Sequence, residues 1–298
     1  MKRIVVTGAN KGIGRAIVAR ILQDQADATV WLGSRDPARG QTAVDALLSE
    51  HPEWKARLAL LPIDVASDGS VREAAQRIAE AHDGEQAPLY GLVNNAGIGF
   101  GAQTLRQTLE VNTLGVRRVC EAFLPLLQAD GGRIVNVTSA SGPNFVASCS
   151  PERQRFFVNP PADEAALWSF VDDCIATDEA GGSFSAKGLG DGAAYGLSKA
   201  CSNAYTVLLA RQHGRLHINA CTPGYIETDM TRPHAERSGR TPAEMGMKPP
   251  EAGAKSAVHL LFGPVESGHY YGSDALRSPL HRYRAPGDPA YTGEDEPA

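Results

Sequence analysis

Tyr195-Gly196-Leu197-Ser198-Lys199 sets a phenol and an amine at i and i+4, one turn apart on the same face if the segment is helical. A phenol, with a reference pKa of about 10, is a poor acid or base at neutral pH. A positive charge about 4 Å away, at an effective dielectric of about 20, is worth roughly 4 kcal/mol, or about three pKa units. The pair therefore reads as a proton-transfer device in which Lys199 brings Tyr195 into working range. The same spacing also fits a helix with a half-buried tyrosine and a lysine snorkelling to solvent. The rest of the chain has to decide between the two.

A second chemical signal lies at the other end. Thr7-Gly8-Ala9-Asn10-Lys11-Gly12-Ile13-Gly14 sits between an apolar run and a helical pattern, the context a dinucleotide-binding loop requires. Gly8 permits the tight turn, Gly12 lets backbone approach a pyrophosphate, and Gly14 lets helix and strand pack closely. The helix N-terminus then faces the phosphates, with Asn10, Lys11 and Ile13 beside them. The spacing is G-x-x-x-G-x-G rather than the commoner G-x-G-x-x-G. At the end of the second strand the sequence is Gly33-Ser34-Arg35-Asp36. Arg35 offers a planar fork suited to a 2′-phosphate, with Lys11 as a second cation near it, and NADP(H) is the expected cofactor. The alternative is that both cations are surface charges and Asp36 binds the ribose of NAD.

These residues need elements to hold them. Ile4–Thr7, Thr29–Gly33, Leu58–Ile63, Leu89–Asn94, Arg133–Thr138 and Leu216–Cys221 read as strands. Gly12–Gln23, Pro37–Ser49, Ser70–His82, about 102–128, about 193–212 and Pro250–Leu261 read as helices. The alternation predicts an α/β fold: a Rossmann-type doubly wound parallel sheet in a single domain over residues 1–278. Residues 140–192 break the rhythm as an insertion. Ser141-Gly142-Pro143-Asn144 reads there as a turn, and one amphipathic helix carries Leu167, Phe170, Val171 and Cys174 on its apolar face. The tail, 279–298, is rich in Pro, Gly and charge and is expected to wrap the surface or to be mobile.

The bulk numbers exclude several classes. Hydrophobic residues make up 42% and charged residues 21%, and the net charge of -5 argues against a nucleic-acid surface. No apolar run approaches the roughly 18 residues of a membrane span. Met1-Lys2-Arg3 runs straight into a strand pattern without the apolar region of a signal peptide. Five cysteines without a Cys-x-x-Cys pair read as free thiols in a reducing cytoplasm. The eight histidines show no metal-ligand clustering, so no metal is expected.

Thr7-Gly8 through Gly14 together with Tyr195-x-x-x-Lys199 resembles the short-chain dehydrogenases/reductases, and the resemblance covers about residues 3–262. Further motifs fit it: Asn94-Asn95-Ala96-Gly97, Asp64-Val65, Asn112, Ser139 and Pro223-Gly224. The resemblance implies hydride transfer between a nicotinamide and a carbonyl carbon, with Tyr195 as proton donor. It implies that Lys199 tunes Tyr195 and bonds the ribose, Ser139 bonds the carbonyl oxygen, and Asn112 holds a water that links Lys199 to solvent. Asp64 and Val65 would hold the adenine. Asn94, Ala96, Gly97, Pro223, Ile226 and Thr228 would complete the cofactor site, and Thr228 would meet the carboxamide. Tyr225 would wall the substrate pocket, with Phe145 and Met230 as weaker candidates.

Fifty-five residues separate Ser139 from Tyr195, far more than is usual in the family. Such an insertion resembles that of the monomeric carbonyl reductases, whose inserted helix covers the surface that relatives use to oligomerise. The expected protein is a monomeric cytoplasmic reductase of a ketone, aldehyde or quinone. The alternatives are an oxidative NAD(P)-dependent alcohol or steroid dehydrogenase and, in another class, a non-catalytic NADP-binding sensor.

Overall fold

The computed structural model describes residues 1–99, 104–190 and 194–294. Its strands are β1 (Lys2–Val6), β2 (Ala28–Ser34), β3 (Leu58–Pro62), β4 (Gly91–Asn94), β5 (Arg133–Val137), β6 (His217–Cys221), β7 (Tyr270–Tyr271) and β8 (Arg277–Ser278). They form one sheet in the order β3-β2-β1-β4-β5-β6-β7-β8. All neighbours are parallel except β7 and β8. Val5 sits opposite both Trp31 and Leu92, which fixes the register at the centre. The strands are almost uniformly apolar because helices cover both faces: Ile4, Val5, Leu92, Val93, Ile134 and Val135 are all buried.

The helices are α1 (Gly12–Asp24), α2 (Pro37–Glu50), α3 (Asp68–Ala81), α4 (Leu105–Leu109), α5 (Gly115–Phe123), α6 (Ser141–Ala147), α7 (Pro151–Val158), α8 (Glu164–Glu179), α9 (Ala194–Gln212), α10 (Arg232–Ser238), α11 (Pro250–Gly253) and α12 (Lys255–Phe262). The chain starts at the centre, runs outward through β2 and β3, then crosses back to β4 beside β1. That reversal opens a crevice at the carboxyl ends of β1 and β4, where such sheets bind ligands.

Three expectations need correction. The predicted 102–128 helix is α4, a π-helical turn over Glu110–Leu114, α5 and a short 3₁₀ turn; its first two residues, like residue 193 of the next predicted helix, lie outside the described residues. Ser141-Gly142-Pro143-Asn144 is not a turn but the start of α6. Pro143 lies in the first helical turn, where a missing N–H costs nothing, and Gly142 is there for packing. The insertion also holds α7 as well as α8. Ser150 caps α7 and Pro151 opens it, a start signal visible in the sequence.

Candidate active site

The glycine loop is held by contacts that leave no room for side chains. Gly8 has φ +62, and a Cβ there would lie 2.7 Å from Ala96 Cα. A Cβ on Gly14 would lie 2.4 Å from Asn95 Nδ2 and 2.6 Å from the Gly8 carbonyl oxygen. Asn95 Nδ2 donates to the carbonyls of Thr7 (3.0 Å) and Gly8 (3.1 Å), while Thr7 Oγ1 accepts from the N–H groups of Asn95 (3.0 Å) and Ala96 (3.1 Å). The loops after β1 and β4 are thereby locked to each other. No side chain caps the start of α1, so its first N–H groups are left for an anion.

A cleft of about 1500 Å³ lies along these strand ends. It brings together Gly8, Asn10, Lys11, Gly12, Ile13, Arg35, Asp64, Val65, Ala96, Gly97, Ser139, Tyr195, Pro223, Tyr225, Ile226, Thr228 and Met230. Thr228 sits over the glycine loop, with its Cγ2 3.4 Å from where a Gly12 Cβ would be. Met230 closes over Gly99 so tightly that a Cβ there would lie 2.2 Å from Met230 Cγ.

At the far end, Arg35 is exposed beside Arg39, which sequence reasoning passed over. Asp36 is committed elsewhere. Its Oδ1 accepts from the N–H groups of Ala38 (3.0 Å) and Arg39 (3.1 Å), capping α2. The Asp-Pro pair that begins α2 was the sequence signal for this. Lys11 does not simply wait for a phosphate. Its ammonium lies 2.6 Å from Asp229, across the mouth of the cleft, and holds that carboxyl below the usual range.

Two expected site residues point elsewhere. The Asn94 side chain is buried in the sheet and donates to Asn136 Oδ1 (2.8 Å) and Cys120 Sγ (3.2 Å). Its neighbour Asn95 does the work at the loop. Phe145 is buried against Phe157, with ring centroids 5.9 Å apart, and does not line the cleft. Gly14 packs behind the loop, as its predicted role requires.

Ser139 follows the end of β5 by two residues, and its Oγ accepts from the Ser141 N–H at 3.1 Å. The long insertion does not separate it from Tyr195, because α6 folds back onto α9. A Cβ on Gly142 would lie 3.0 Å from Asn203 Nδ2, and one on Gly196 would lie 2.9 Å from Phe145 Cβ. These two glycines let the helices approach closely enough for Ser139 to hydrogen-bond the Tyr195 phenol.

The electrostatics differ from the simple expectation. Burial pushes the Tyr195 phenol up, and the Ser139 hydrogen bond opposes that rise. Lys199 Nζ lies 5.7 Å from the Tyr195 ring centroid and 3.2 Å from the Val137 carbonyl, to which it donates. Burial brings Lys199 down to about 8. The lysine therefore stays mostly protonated at pH 7 but gives up its proton far more readily than an ordinary lysine.

Asn112 lies in the π-helical turn, fully buried. Its Oδ1 accepts from the Ile98 N–H (2.9 Å), and its Nδ2 donates to the Ile98 carbonyl (2.9 Å) and to Ser198 Oγ (3.1 Å). A Cβ on Gly97 would lie 3.1 Å from Asn112 Oδ1 and 3.5 Å from Lys199 Nζ, so the two polar groups flank that glycine. Ser198, which also donates to the Tyr195 carbonyl at 2.8 Å, was visible only as a small residue between Tyr195 and Lys199.

Comparison with known proteins agrees with this geometry. Residues 2–151 match the family model for short chain dehydrogenase. Carbonyl reductase [NADPH] 1 of Sus scrofa is 34% identical over 278 residues, spanning 88% of each chain. The Bos taurus protein of the same name is 33% identical, spanning 88% of this chain and 91% of its own. Salutaridine reductase from Papaver somniferum superposes with a TM-score of 0.74 at 27% identity, over 91% of this chain and 99% of that one. Menthone neomenthol reductase from Mentha piperita gives 0.71 at 25%, over 91% and 98%. With its glycine loop, its strand-end cleft and its Ser139–Tyr195 pair, the chain belongs to the short-chain dehydrogenase family.

Proposed function

We propose that this protein reduces the carbonyl group of a ketone, aldehyde or quinone with NADPH. The observation that carries the reading is the Ser139–Tyr195 hydrogen bond, placed beside buried Lys199 in the same cleft as the glycine loop. The names of the relatives, carbonyl reductase [NADPH] 1 in Sus scrofa and Bos taurus, support both substrate class and cofactor.

The cleft fits the cofactor. The Gly8 and Gly12 backbone and the uncapped start of α1 suit the pyrophosphate. Asp64 and Val65 wall the adenine end, exposed Arg35 suits a 2′-phosphate, and Asp36 has one carboxylate oxygen engaged in capping α2 and the other facing Arg39 at 3.4 Å. When bound, NADPH supplies the hydride for the carbonyl carbon. Ser139 and Tyr195 take the carbonyl oxygen between their hydroxyls, orienting it and stabilising the charge that grows there. Tyr195 then gives its phenolic proton to that oxygen. Lys199, titrating near 8, returns a proton toward Tyr195, and Asn112 with Lys199 forms the start of a relay to solvent.

The fold also supports a monomer. Leu167, Phe170, Val171 and Cys174 are buried, while Asp163, Asp172 and Asp173 stay exposed. α8 is fastened on three sides: Trp168 lies 5.2 Å from the Tyr205 ring of α9, Arg117 of α5 lies 4.5 Å over the Trp168 ring, and Arg106 of α4 bonds Glu179 at 2.6 Å. A helix so placed covers α4, α5 and α9 as potential contact surfaces; a stable tetramer in light scattering would refute this. The five cysteines are all buried and free, which supports a reducing, cytoplasmic setting. Among the described residues no helix is long and apolar enough to cross a membrane.

Nicotinamide oxidation measured over a carbonyl panel tests the activity. NADPH-dependent turnover that exceeds NADH-dependent turnover is the expected result. Turnover of alcohols with NAD and none of carbonyls with NADPH would contradict it.

A further inference from the structure

One rim of the cleft is built by residues outside the core motifs. After β7 the chain forms Gly272-Ser273-Asp274, pairs through β8, and within residues 279–288 returns to the cleft at Tyr283, Arg284 and Pro286. There the Arg284 side chain is 4% exposed and Asp274 18%, in an ion pair of 2.6 Å. Nη2 donates to both Asp274 oxygens (2.6 and 2.7 Å). Nη1 donates to Asp274 Oδ2 (3.0 Å) and to the carbonyls of Ala285 (2.8 Å) and Asp288 (3.2 Å), and Nε donates to Ser278 Oγ (3.1 Å). Every nitrogen of the guanidinium is thus engaged by residues between Asp274 and Asp288, so Arg284 ties the strap to the β7–β8 connection and is not aimed at a ligand. Asp274 accepts as well from the Gly287 N–H at 3.1 Å. The base of the strap leans on the Pro223-Gly224 loop, where a Gly224 Cβ would lie 3.0 Å from Ser273 Cβ.

This pair pins the residue before it. Tyr283 lines the cleft with half of its surface exposed (50%), as Tyr225 does at 38%. Two large aromatics exposed in one cleft, one of them next to a buried ion pair, offer flat apolar area to a ligand. Tyr283 lines the same cleft as Ser139, Tyr195 and Tyr225, and its strap meets the Pro223-Gly224 loop through Ser273.

We infer that residues 279–288 form a fixed strap on which Tyr283, with Tyr225, selects flat, bulky aromatic carbonyl compounds over small aldehydes. Arg284 and Asp274 are the positioning pair. This rests on the carbonyl-reductase reading for the reaction, but not for the binding.

The test compares 2-acetylnaphthalene with propanal. Tyr283→Ala is expected to raise KM for 2-acetylnaphthalene roughly tenfold, with kcat and the KM for propanal within about twofold and NADPH binding unchanged. Arg284→Lys should give the same KM split to a smaller degree. Because the buried pair also stabilises the tail, Tyr283→Trp supplies a readout free of folding and turnover: its added fluorescence should be quenched by 2-acetylnaphthalene and not by propanal. Equal changes for both compounds, or no change, together with no selective quenching, overturn the strap. If the unmodified chain reduces neither compound while the introduced indole is still selectively quenched, the reductase reading fails and the strap stands.

Discussion

The two ends of the cleft are built by different rules. At the nucleotide end, backbone does most of the work: Gly8 and Gly14 tolerate no Cβ, Asn95 after β4 donates to the Thr7 and Gly8 carbonyls after β1, and the start of α1 stays uncapped. At the proposed carbonyl end, side chains do it: Ser139 just past β5, Tyr195 and Lys199 from α9, then Tyr225 and Met230 from later segments. The first kind of site is dictated by what must approach closely. The second depends on which helices and straps converge, and is free to vary with the substrate.

Substitutions that separate the ends sharpen this contrast. Lys199→Met should lower kcat/KM on the order of a thousandfold, by removing both proton return and a ribose contact. The same change should stabilise the protein at pH 7. The lysine pKa is about 8 in the fold against 10.5 ordinarily. The unfolded chain therefore binds the extra proton between these values, and the fold is penalised at and below pH 8. The penalty, on the order of 3 kcal/mol before the lost bond to Val137 is counted, vanishes as pH rises through 10.5. Urea titrations at pH 7 and 10.5 should show the stability advantage of the Met variant shrinking; an advantage that grows with pH would contradict the burial argument.

Ser139→Ala belongs wholly to the carbonyl end. It should cost about 10²-fold in kcat and leave NADPH titrations unchanged. A matching loss of cofactor affinity would blur the two ends. Arg35→Asp tests the other end alone. It should shift preference from NADPH toward NADH by about 10- to 100-fold in KM with little change in kcat, and indifference to the exchange would remove Arg35 from the phosphate site. The smallest effect is expected from Asp229→Asn. Losing an exposed ion pair releases Lys11 and should tighten NADPH binding by no more than about fivefold. Weaker binding would mean that Asp229 holds the cleft mouth in its working shape.

The contrast also explains what the sequence made legible. The glycine loop and the Tyr195/Lys199 spacing were readable because each obeys a local rule, tight turn, helix start or i,i+4 face, and the strand-end motifs were readable through the family resemblance. Asn94 was misplaced because Asn94-Asn95 offers two amides, and strand alternation decides which one faces the cleft. α6 was hidden because Gly142 and Pro143 suit a turn locally, while the need for a small residue against Ala200 and Asn203 appears only in three dimensions. Phe145 followed α6 into the core for the same reason. The tail was expected to wrap the surface or to be mobile because the partner of Arg284 lies in the β7–β8 connection, and a non-local ion pair leaves no period in the sequence. The lowered lysine followed from burial, which spacing alone does not reveal.

The most direct test is Tyr195→Phe, measured for NADPH binding and for ketone reduction on the same preparation. The substitution deletes one hydroxyl and keeps the ring against Lys199. The expected result is unchanged NADPH affinity with reduction slowed by about 10²- to 10⁴-fold. A variant that binds NADPH and reduces ketones at the full rate would contradict the assignment of Tyr195 as the proton donor.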